Sequence, residues 1–439
     1  MDQETTSLKM EDNMTDRIID LLKASAADAF EVVEKVTEGW EFYFIGHRLD
    51  QNRVKNVKHI DVTVYKKLED GQFIGRAADE IAPTASEEEA KKIIDDLCKR
   101  AAYVKNPYYE LNKETISTEV KDYDVEQMAR DYIEVMQQIP ETSTEFINSY
   151  EIFVDKTTRR YVNSEGIDVT TAAPNSMLEV IVNAKNDEHE IELYRMYKAG
   201  CCDKEYIKRD IEDTLRYGKD KLIAKSTPNL NKTTVLFSTK DSITELVRYL
   251  CNKTHASVKY QGYSNWEIGK EIISDVQGDS FTVKGVKELP NSSNNTPVDS
   301  EGAPVHDMFF LKDNVPENYW GDVQFRSYLG VKDGCIIGNY VAEGGSSSEA
   351  ELRQGKYLEP VEFSDFSISL IEGAFAAEIR LAYLHDGDTV TPVSGGSVTG
   401  DLNELLKNVK LSKELKQYNN FLVPSVIKME NVTVAGSEA

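Results

Sequence analysis

Alternating apolar and polar residues dominate the first 200 positions of the chain and predict β-strands flanked by helices. Apolar residues first repeat at helical spacing after Thr15, which we expect to cap a helix. Strands follow, with a turn expected at Glu38-Gly39. A long helix then begins at Ser86, which can form a capping box with Glu89.

The same order of elements recurs farther along the chain. Asp124 is expected to cap a helix, and two hairpins are expected over residues 146–162 and 177–197. Asp203 then caps a closing helix. Helix, four strands and helix therefore occur twice, which is consistent with an internal duplication. Coincidence is an equally good interpretation, because α+β patterns recur widely.

The composition changes after residues 225–230, which we interpret as a linker. A short strand and a short helix come next, and Ser242 and Glu245 are expected to cap that helix. The remainder is mostly β, with a mobile polar loop at 291–304 and a helix at 401–409.

These patterns predict an α+β protein with an N-terminal half of helices and antiparallel hairpins and a β-rich C-terminal domain. The predicted parts are a disordered tail (1–13), an α+β domain (14–112), a second and possibly repeated α+β domain (113–225) and the β-rich domain (231–439).

Composition and charge narrow the functional classes. The formal net charge of −25 repels phosphate backbones, so we expect no direct binding of nucleic acid. No stretch is apolar enough to span a membrane, and the polar start does not resemble a targeting peptide. Five cysteines, an odd number, indicate reduced thiols and a cytoplasmic location.

The chain contains no independent catalytic signature. A zinc hydrolase needs histidine or cysteine ligands clustered on rigid elements, but the six histidines are scattered along the chain. Neither H-E-x-x-H nor C-x-x-C occurs, and there is no G-x-S-x-G elbow or Walker A motif. We therefore expect no bound metal or other cofactor.

Several segments nevertheless resemble the TldD/PmbA peptidase family, in the family's order along nearly the whole chain. They are "ADAFEVVEKVTEGWEFYFIG" and "VTVYKKLEDGQFIGRAA" near the start, "RRYVNSEGIDVT" at 159–170, "PVDSEGAPV" at 297–305, "TPVSGGSVTGDLNELLKNV" near the end, and "VPSVIKMENVTVAG" at 423–436. The family has also been described as a modulator of DNA gyrase, acting through peptide targets.

The resemblance implies where a zinc site would lie. TldD-type members carry H-E-x-x-x-H on a helix after the linker and a later cysteine, whereas PmbA (TldE) members lack them. The matching stretch here is Thr244-Glu245-Leu246-Val247-Arg248-Tyr249. Thr244 and Tyr249 take the histidine positions, only Glu245 matches, and residues 402–436 contain no cysteine. The chain is thus expected to be the PmbA/TldE-type subunit without zinc.

That resemblance implies a TldD-like zinc subunit as partner and unfolded peptides as substrates. Two other readings stay open. One is a peptide-binding homodimer without a peptidase partner. The other is a hydrolase with an unrecognised site, for which the candidates are Glu245, His255, Asp299 and His306.

Overall fold

A computed structural model describes residues 13–437 of the chain. The predicted tail therefore lies outside the described residues, except for Asn13. Two short 3-10 turns, Glu69–Gly71 and Leu406–Asn408, supplement the α-helices. The helices are α1 (Met14–Lys23), α2 (Glu87–Ala101), α3 (Val125–Gln137), α4 (Lys204–Leu222), α5 (Lys240–Lys253), α6 (Ala256–Tyr260), α7 (Val323–Tyr328), α8 (Glu349–Leu352) and α9 (Leu402–Leu405).

The N-terminal half contains one antiparallel sheet in the order β4-β3-β2-β1-β5-β6-β7. Its strands are β1 (Ala29–Ile45), β2 (Arg48–Leu68), β3 (Phe73–Glu80), β4 (Asn106–Pro107), β5 (Glu145–Asn163), β6 (Asp168–Lys185) and β7 (Glu190–Ala199). The strands of the two predicted α+β domains therefore share a sheet, and the boundary between 112 and 113 stays a prediction.

The C-terminal half builds a six-stranded and an eight-stranded sheet, which confirms its β-rich character. Its strands are β8 (Lys225–Ser226), β9 (Leu230–Phe237), β10 (Val283–Val286), β11 (Met308–Lys312), β12 (Val315–Pro316), β13 (Asn339–Ala342), β14 (Tyr357–Ile368), β15 (Ala374–Asp386), β16 (Thr389–Ser394), β17 (Ser397–Asp401), β18 (Lys410–Leu411), β19 (Leu415–Tyr418), β20 (Phe421–Pro424) and β21 (Ile427–Ala435).

The predicted turn at Glu38-Gly39 is wrong, because β1 runs straight through it. Gly39 pairs with Lys55 on one side and Asp155 on the other. A Cβ at this position would lie 2.1 Å from the carbonyl oxygen of Val154. The glycine is required for close backbone approach inside a sheet and not for a turn.

The hairpin predicted at residues 146–162 is also wrong, since this stretch is the single strand β5. The chain turns only after it, where the Asn163 side chain accepts hydrogen bonds from the backbone N–H groups of Glu165 and Ile167. The second predicted hairpin is β6 and β7. Each unit therefore contains three long strands between two helices, not four strands.

Helix α1 begins at Met14, and its N-cap is not Thr15 as expected. Its cap is Asn13, whose side-chain oxygen accepts from the Thr15 N–H at 3.3 Å, while Thr15 is completely buried and its hydroxyl donates to Glu34. Three other predicted N-caps are confirmed: Ser86, Asp124 and Asp203.

All four long N-terminal helices cover the same face of the first sheet. Val32, under α1 and α2, and Phe44, under α3, are an even number of positions apart on β1, so they share a face. None of these four helices covers the opposite face; one end of it meets the C-terminal domain at Glu301 and Asp322, where α7 packs through Val323 and Tyr328 against Tyr65 and Tyr109.

The expected linker and polar loop are built into the fold. Lys225 and Ser226 pair as β8 with β16, so the linker starts the C-terminal sheet. In the loop 291–304, Ser292 donates to Asn339 and the buried Asp299 accepts three backbone N–H groups. The late helix is present as α9 and the following 3-10 turn. No helix within residues 13–437 has the length and apolar character needed to span a bilayer.

Candidate functional site

Helix α5 is held by the largest apolar core of the molecule, and this fixes which of its faces is free. Ile243, Val247 and Leu250 are fully buried against the C-terminal sheets. The predicted capping box is wrong: the cap is Thr239, whose hydroxyl accepts from the Ser242 N–H at 3.4 Å. The helix therefore begins three residues earlier, and Glu245 is not part of its cap.

The free face of α5 lines a cavity of about 330 Å³ between the two halves of the chain. From α5 the lining residues include Lys240, Thr244, Glu245 and Arg248. The facing wall comes from the end of β7, the start of α4 and the loop between β19 and β20. Because these elements are distant in sequence, pattern analysis could not have found the cavity.

The residues at the family's zinc positions do not converge. Thr244 and Glu245 line the cavity, and Glu245 pairs with Arg248 through an Oε1–Nε distance of 3.0 Å. Tyr249 does not line the cavity but lies in the core, 6 % exposed, with its ring edge-to-face against Trp266 at 6.3 Å. Burial raises the pKa of Tyr249 to about 12, so its phenol stays neutral.

This arrangement does not fit a zinc ion. Positions five residues apart on a helix are separated by about 140° around its axis, and here one side chain is in the cavity and the other in the core. Neutral threonine and tyrosine hydroxyls are not the nitrogen, sulfur and carboxylate ligands that zinc uses. Within residues 13–437, no group of three or more His, Cys, Asp or Glu side chains could hold a metal ion.

The alternative hydrolase residues are not assembled into one site either. Glu245 lines its cavity without His255, Asp299 or His306. His255 caps α6 and packs edge-on against Trp320 at 4.7 Å, and burial lowers its pKa.

Two of these candidates do lie near a cysteine that sequence reasoning did not select. The His306 Nδ1 is 3.9 Å from the Sγ of Cys335, and Asp299 accepts a hydrogen bond from the neighbouring Ile336 N–H. However, Cys335 is fully buried, and burial raises the pKa of its thiol to about 11. The thiol is therefore neutral and shielded, unlike a nucleophilic cysteine.

Polar contacts join the two halves around the cavity. Lys240 donates to the Met196 carbonyl at 2.9 Å, and burial lowers the pKa of its ammonium. On the other side of this contact, Arg195 of β7 forms an ion pair with Glu362 of β14, which raises the pKa of the arginine. These contacts fix β7 against the C-terminal domain.

Comparison with known proteins places this geometry in a family. A model of the PmbA/TldA metallopeptidase C-terminal domain matches residues 231–436. The C-terminal half of this chain, residues 231–436, belongs to the PmbA/TldD family. No curated protein gives a match.

Several solved structures share the fold of this chain over both of its halves. TldE from Thermococcus kodakarensis is 16% identical, with 96% of this chain and 100% of that chain covered and a TM-score of 0.76. Two proteins described as modulators of DNA gyrase are similar. The one from Thermotoga maritima is 15% identical, with 95% and 98% covered and a TM-score of 0.75. The one from Bacteroides thetaiotaomicron is 16% identical, with 97% and 98% covered and a TM-score of 0.78.

Two of the segments that resemble the TldD/PmbA family pack directly together. Asp299 closes its own loop by accepting from the N–H groups of Glu301 and Ala303. Gly302 in this loop has a φ of +75°, and a Cβ there would lie 2.9 Å from Tyr161 and Ile167 beside the β5–β6 turn. The turns of these two segments therefore join the two halves of the chain through a close contact.

Proposed function

We propose that this chain is the TldE/PmbA-type subunit of a TldD/PmbA-type metallopeptidase system and is not itself catalytic. Its substrates would be unfolded peptides, and its location cytoplasmic. The observation that carries the proposal is the divergence of the two ligand positions on α5: Thr244 lines the cavity, whereas Tyr249 belongs to the core.

The core packing around Tyr249 prevents the zinc site of the family from forming here. Tyr249 contacts Trp266, and the Lys253 ammonium lies 5.9 Å from the Tyr249 ring centroid. A histidine at this position would leave a gap in a close-packed core, which destabilises a protein. Restoring a zinc site would need both histidines and a cysteine in the C-terminal segment, so a single substitution could not recreate it.

The cavity beside α5 supports a role in an assembly. Its lining combines aromatic rings such as Tyr206 and Tyr418 with the amides of Gln417, Asn419 and Asn420. Such a lining can hydrogen-bond an extended chain without reacting with it. The partner would be a TldD-like zinc subunit, which supplies the metal site. The net charge of −25 makes nucleic acid an unsuitable partner.

Co-expression with a zinc-type paralogue from the same cell tests this function. Size analysis should show a heterodimer, and casein should be cleaved by the heterodimer but not by this chain alone. A Thr244→Val variant is the matched control: it keeps the shape of Thr244 but removes the hydroxyl, and it should leave the activity of the heterodimer unchanged.

Two outcomes would contradict the proposal. Cleavage of casein by the isolated chain would mean that it has its own catalytic site. A stable homodimer that never associates with the paralogue would favour a stand-alone peptide-binding protein.

A further inference from the structure

We propose that a second cleft, here called the seam cleft, binds the guanidinium or ammonium group of a basic peptide. The seam cleft lies between the C-terminal domain and the face of the first sheet that α1 to α4 leave uncovered, and the start of α7 contributes to its lining. The choice of a peptide as ligand rests on the proposed function, while the choice of a positive charge rests on the cleft itself.

The seam cleft has a volume of about 680 Å³. Its floor comes from β1, β2 and β5, with Glu31, Tyr65 and Tyr161. Its rim comes from the C-terminal domain, with Glu301 and Asp322. Among the lining residues that the structure describes there are six carboxylates and one basic residue, Arg76.

Three of the six carboxylates have cationic or imidazole neighbours elsewhere. Asp61 lies 3.9 Å from Lys35, Asp79 pairs with Arg100 at 2.9 Å, and Glu80 contacts His59 at 2.7 Å. These are surface pairs that contribute little to stability.

The other three carboxylates form no ion pair among the residues that the structure describes, although the Arg159 guanidinium, which donates to the Ser300 carbonyl, interacts electrostatically with Glu31. Glu31 accepts from the phenol hydroxyls of Tyr65 and Tyr161, the latter at 2.6 Å. Glu301 accepts through Oε2 from the Val323 N–H at 2.8 Å, and its Oε1 accepts no hydrogen bond from residues 13–437. Asp322 accepts from the first turn of α7.

Carboxylates that are withdrawn from water normally have a counter-ion, because an unpaired charge is costly to bury. Here burial raises the pKa of Glu301 to about 8, and the negative charges of Asp299, Glu31 and Asp322 act in the same direction. Glu301 is therefore mostly protonated at neutral pH. A cation placed beside Oε1 would offset this cost and release the proton.

The chemistry of the cleft favours an organic cation. No group of side chains in the described residues could hold a metal ion, as noted above. Tyr65 and Phe325 line the cleft beside the carboxylates, whereas the Tyr161 ring already carries the Arg159 guanidinium, 5.3 Å from its centroid. Aromatic faces attract guanidinium and ammonium groups, so carboxylate and ring would act on the same ligand group.

A binding assay with the isolated full chain tests the seam cleft. The probe is a fluorescent nine-residue peptide with three arginines separated by Gly and Ser, and the reference peptide has glutamine at the three positions. At pH 8.5 the arginine peptide should bind at least tenfold more tightly. Glu301→Gln should reduce this binding about tenfold. Glu188→Gln, which removes an exposed carboxylate at the β6–β7 turn, should change it less than twofold.

The pH profile provides a second readout that does not depend on a variant. Affinity of the natural chain should rise between pH 6.5 and 8.5, as Glu301 loses its proton more readily, and should stay flat in Glu301→Gln. The groups that face Glu301 are Asp299, Glu31, Asp322, Arg76, Arg159, Tyr65, Tyr109 and Tyr161. The arginines stay charged and the tyrosines neutral across this range, because burial raises the pKa of all three phenols.

Equal binding of the two peptides would overturn the proposal, and so would an equal loss in Glu301→Gln and Glu188→Gln. This assay uses neither a partner subunit nor peptide cleavage. Its failure would leave the subunit function standing, and a failure of co-expression would leave the seam cleft standing.

Discussion

The α5 cavity and the seam cleft both lie between the halves of the chain, but their carboxylates differ. In the α5 cavity, Glu245 is half exposed and paired with Arg248. In the seam cleft, Glu301 has no ion-pair partner among the described residues, and burial raises its pKa to about 8. Glu245, at the glutamate position of the family's motif, thus has an ion-pair partner. Glu301, in a loop that resembles another family segment, has none among the described residues. Position in a motif and readiness to bind a ligand are separate properties.

The largest effect should come from the inward side of α5. Tyr249→Ala should lower the free energy of unfolding by about 3–5 kcal/mol, because it removes a buried aromatic ring. Tyr249→Phe is the control and should cost less than about 1 kcal/mol, since it keeps the ring. Urea unfolding measures both. Similar stability of Tyr249→Ala and the natural chain would show that Tyr249 is not a core residue.

Glu359 is a buried carboxylate that has a counter-ion, and it serves as the comparison for Glu301 in the seam cleft. Glu359 is 6% exposed and is bonded by Arg353, His385 and Ser238, which hold its pKa down at about 2 despite desolvation. A depressed pKa stabilises the fold above pH 4.5, and this contribution is lost as the pH falls toward 2. Glu359→Gln should therefore cost about 3 kcal/mol at pH 7, and the difference should shrink in acid. A difference that does not depend on pH would contradict the ionised state of Glu359.

Glu301 should show the opposite sign. Its raised pKa means that the protonated form stabilises the fold below pH 4.5, and this contribution is lost as the pH rises through about 8. Glu301→Gln should match the natural chain at pH 4 and be more stable by about 2 kcal/mol at pH 9. Thermal unfolding at both pH values measures this. If the variant is less stable at pH 9, Glu301 has a counter-ion and the contrast with Glu359 fails.

The smallest effect should come from Glu245. Its ion pair with Arg248 is exposed, and exposed pairs contribute about 0–1 kcal/mol. Glu245→Gln should change stability by less than about 0.5 kcal/mol and leave casein cleavage by the heterodimer unchanged. A tenfold loss of cleavage would instead assign Glu245 a part in catalysis.

Local signals in the sequence predicted some elements well. The capping box of Ser86 and Glu89 needs only two residues three positions apart, and it is present. Ile60, Val62 and Val64 alternate with polar residues, as expected of a strand with one buried face, and all three are fully buried. Both signals act over a few residues, so neighbouring sequence determines them.

Strand ends and sites depended on contacts distant in sequence. β1 and β5 are 17 and 19 residues long, far beyond an ordinary strand of about 5–6, so turns were expected inside them. Gly39 was interpreted as a turn because its partner strand, β5, lies more than 100 residues away. The resemblance located Thr244 and Tyr249 but not their divergent orientations, and the seam cleft joins residues from 31 to 336.

Zinc analysis of the purified chain, alone and after co-expression with its paralogue, tests the central claim most directly. The account predicts no tightly bound zinc in the isolated chain and one zinc ion per heterodimer, retained when this chain carries Thr244→Val. Stoichiometric zinc in the isolated chain would contradict it, because the residues at the family's ligand positions would then have to bind the metal.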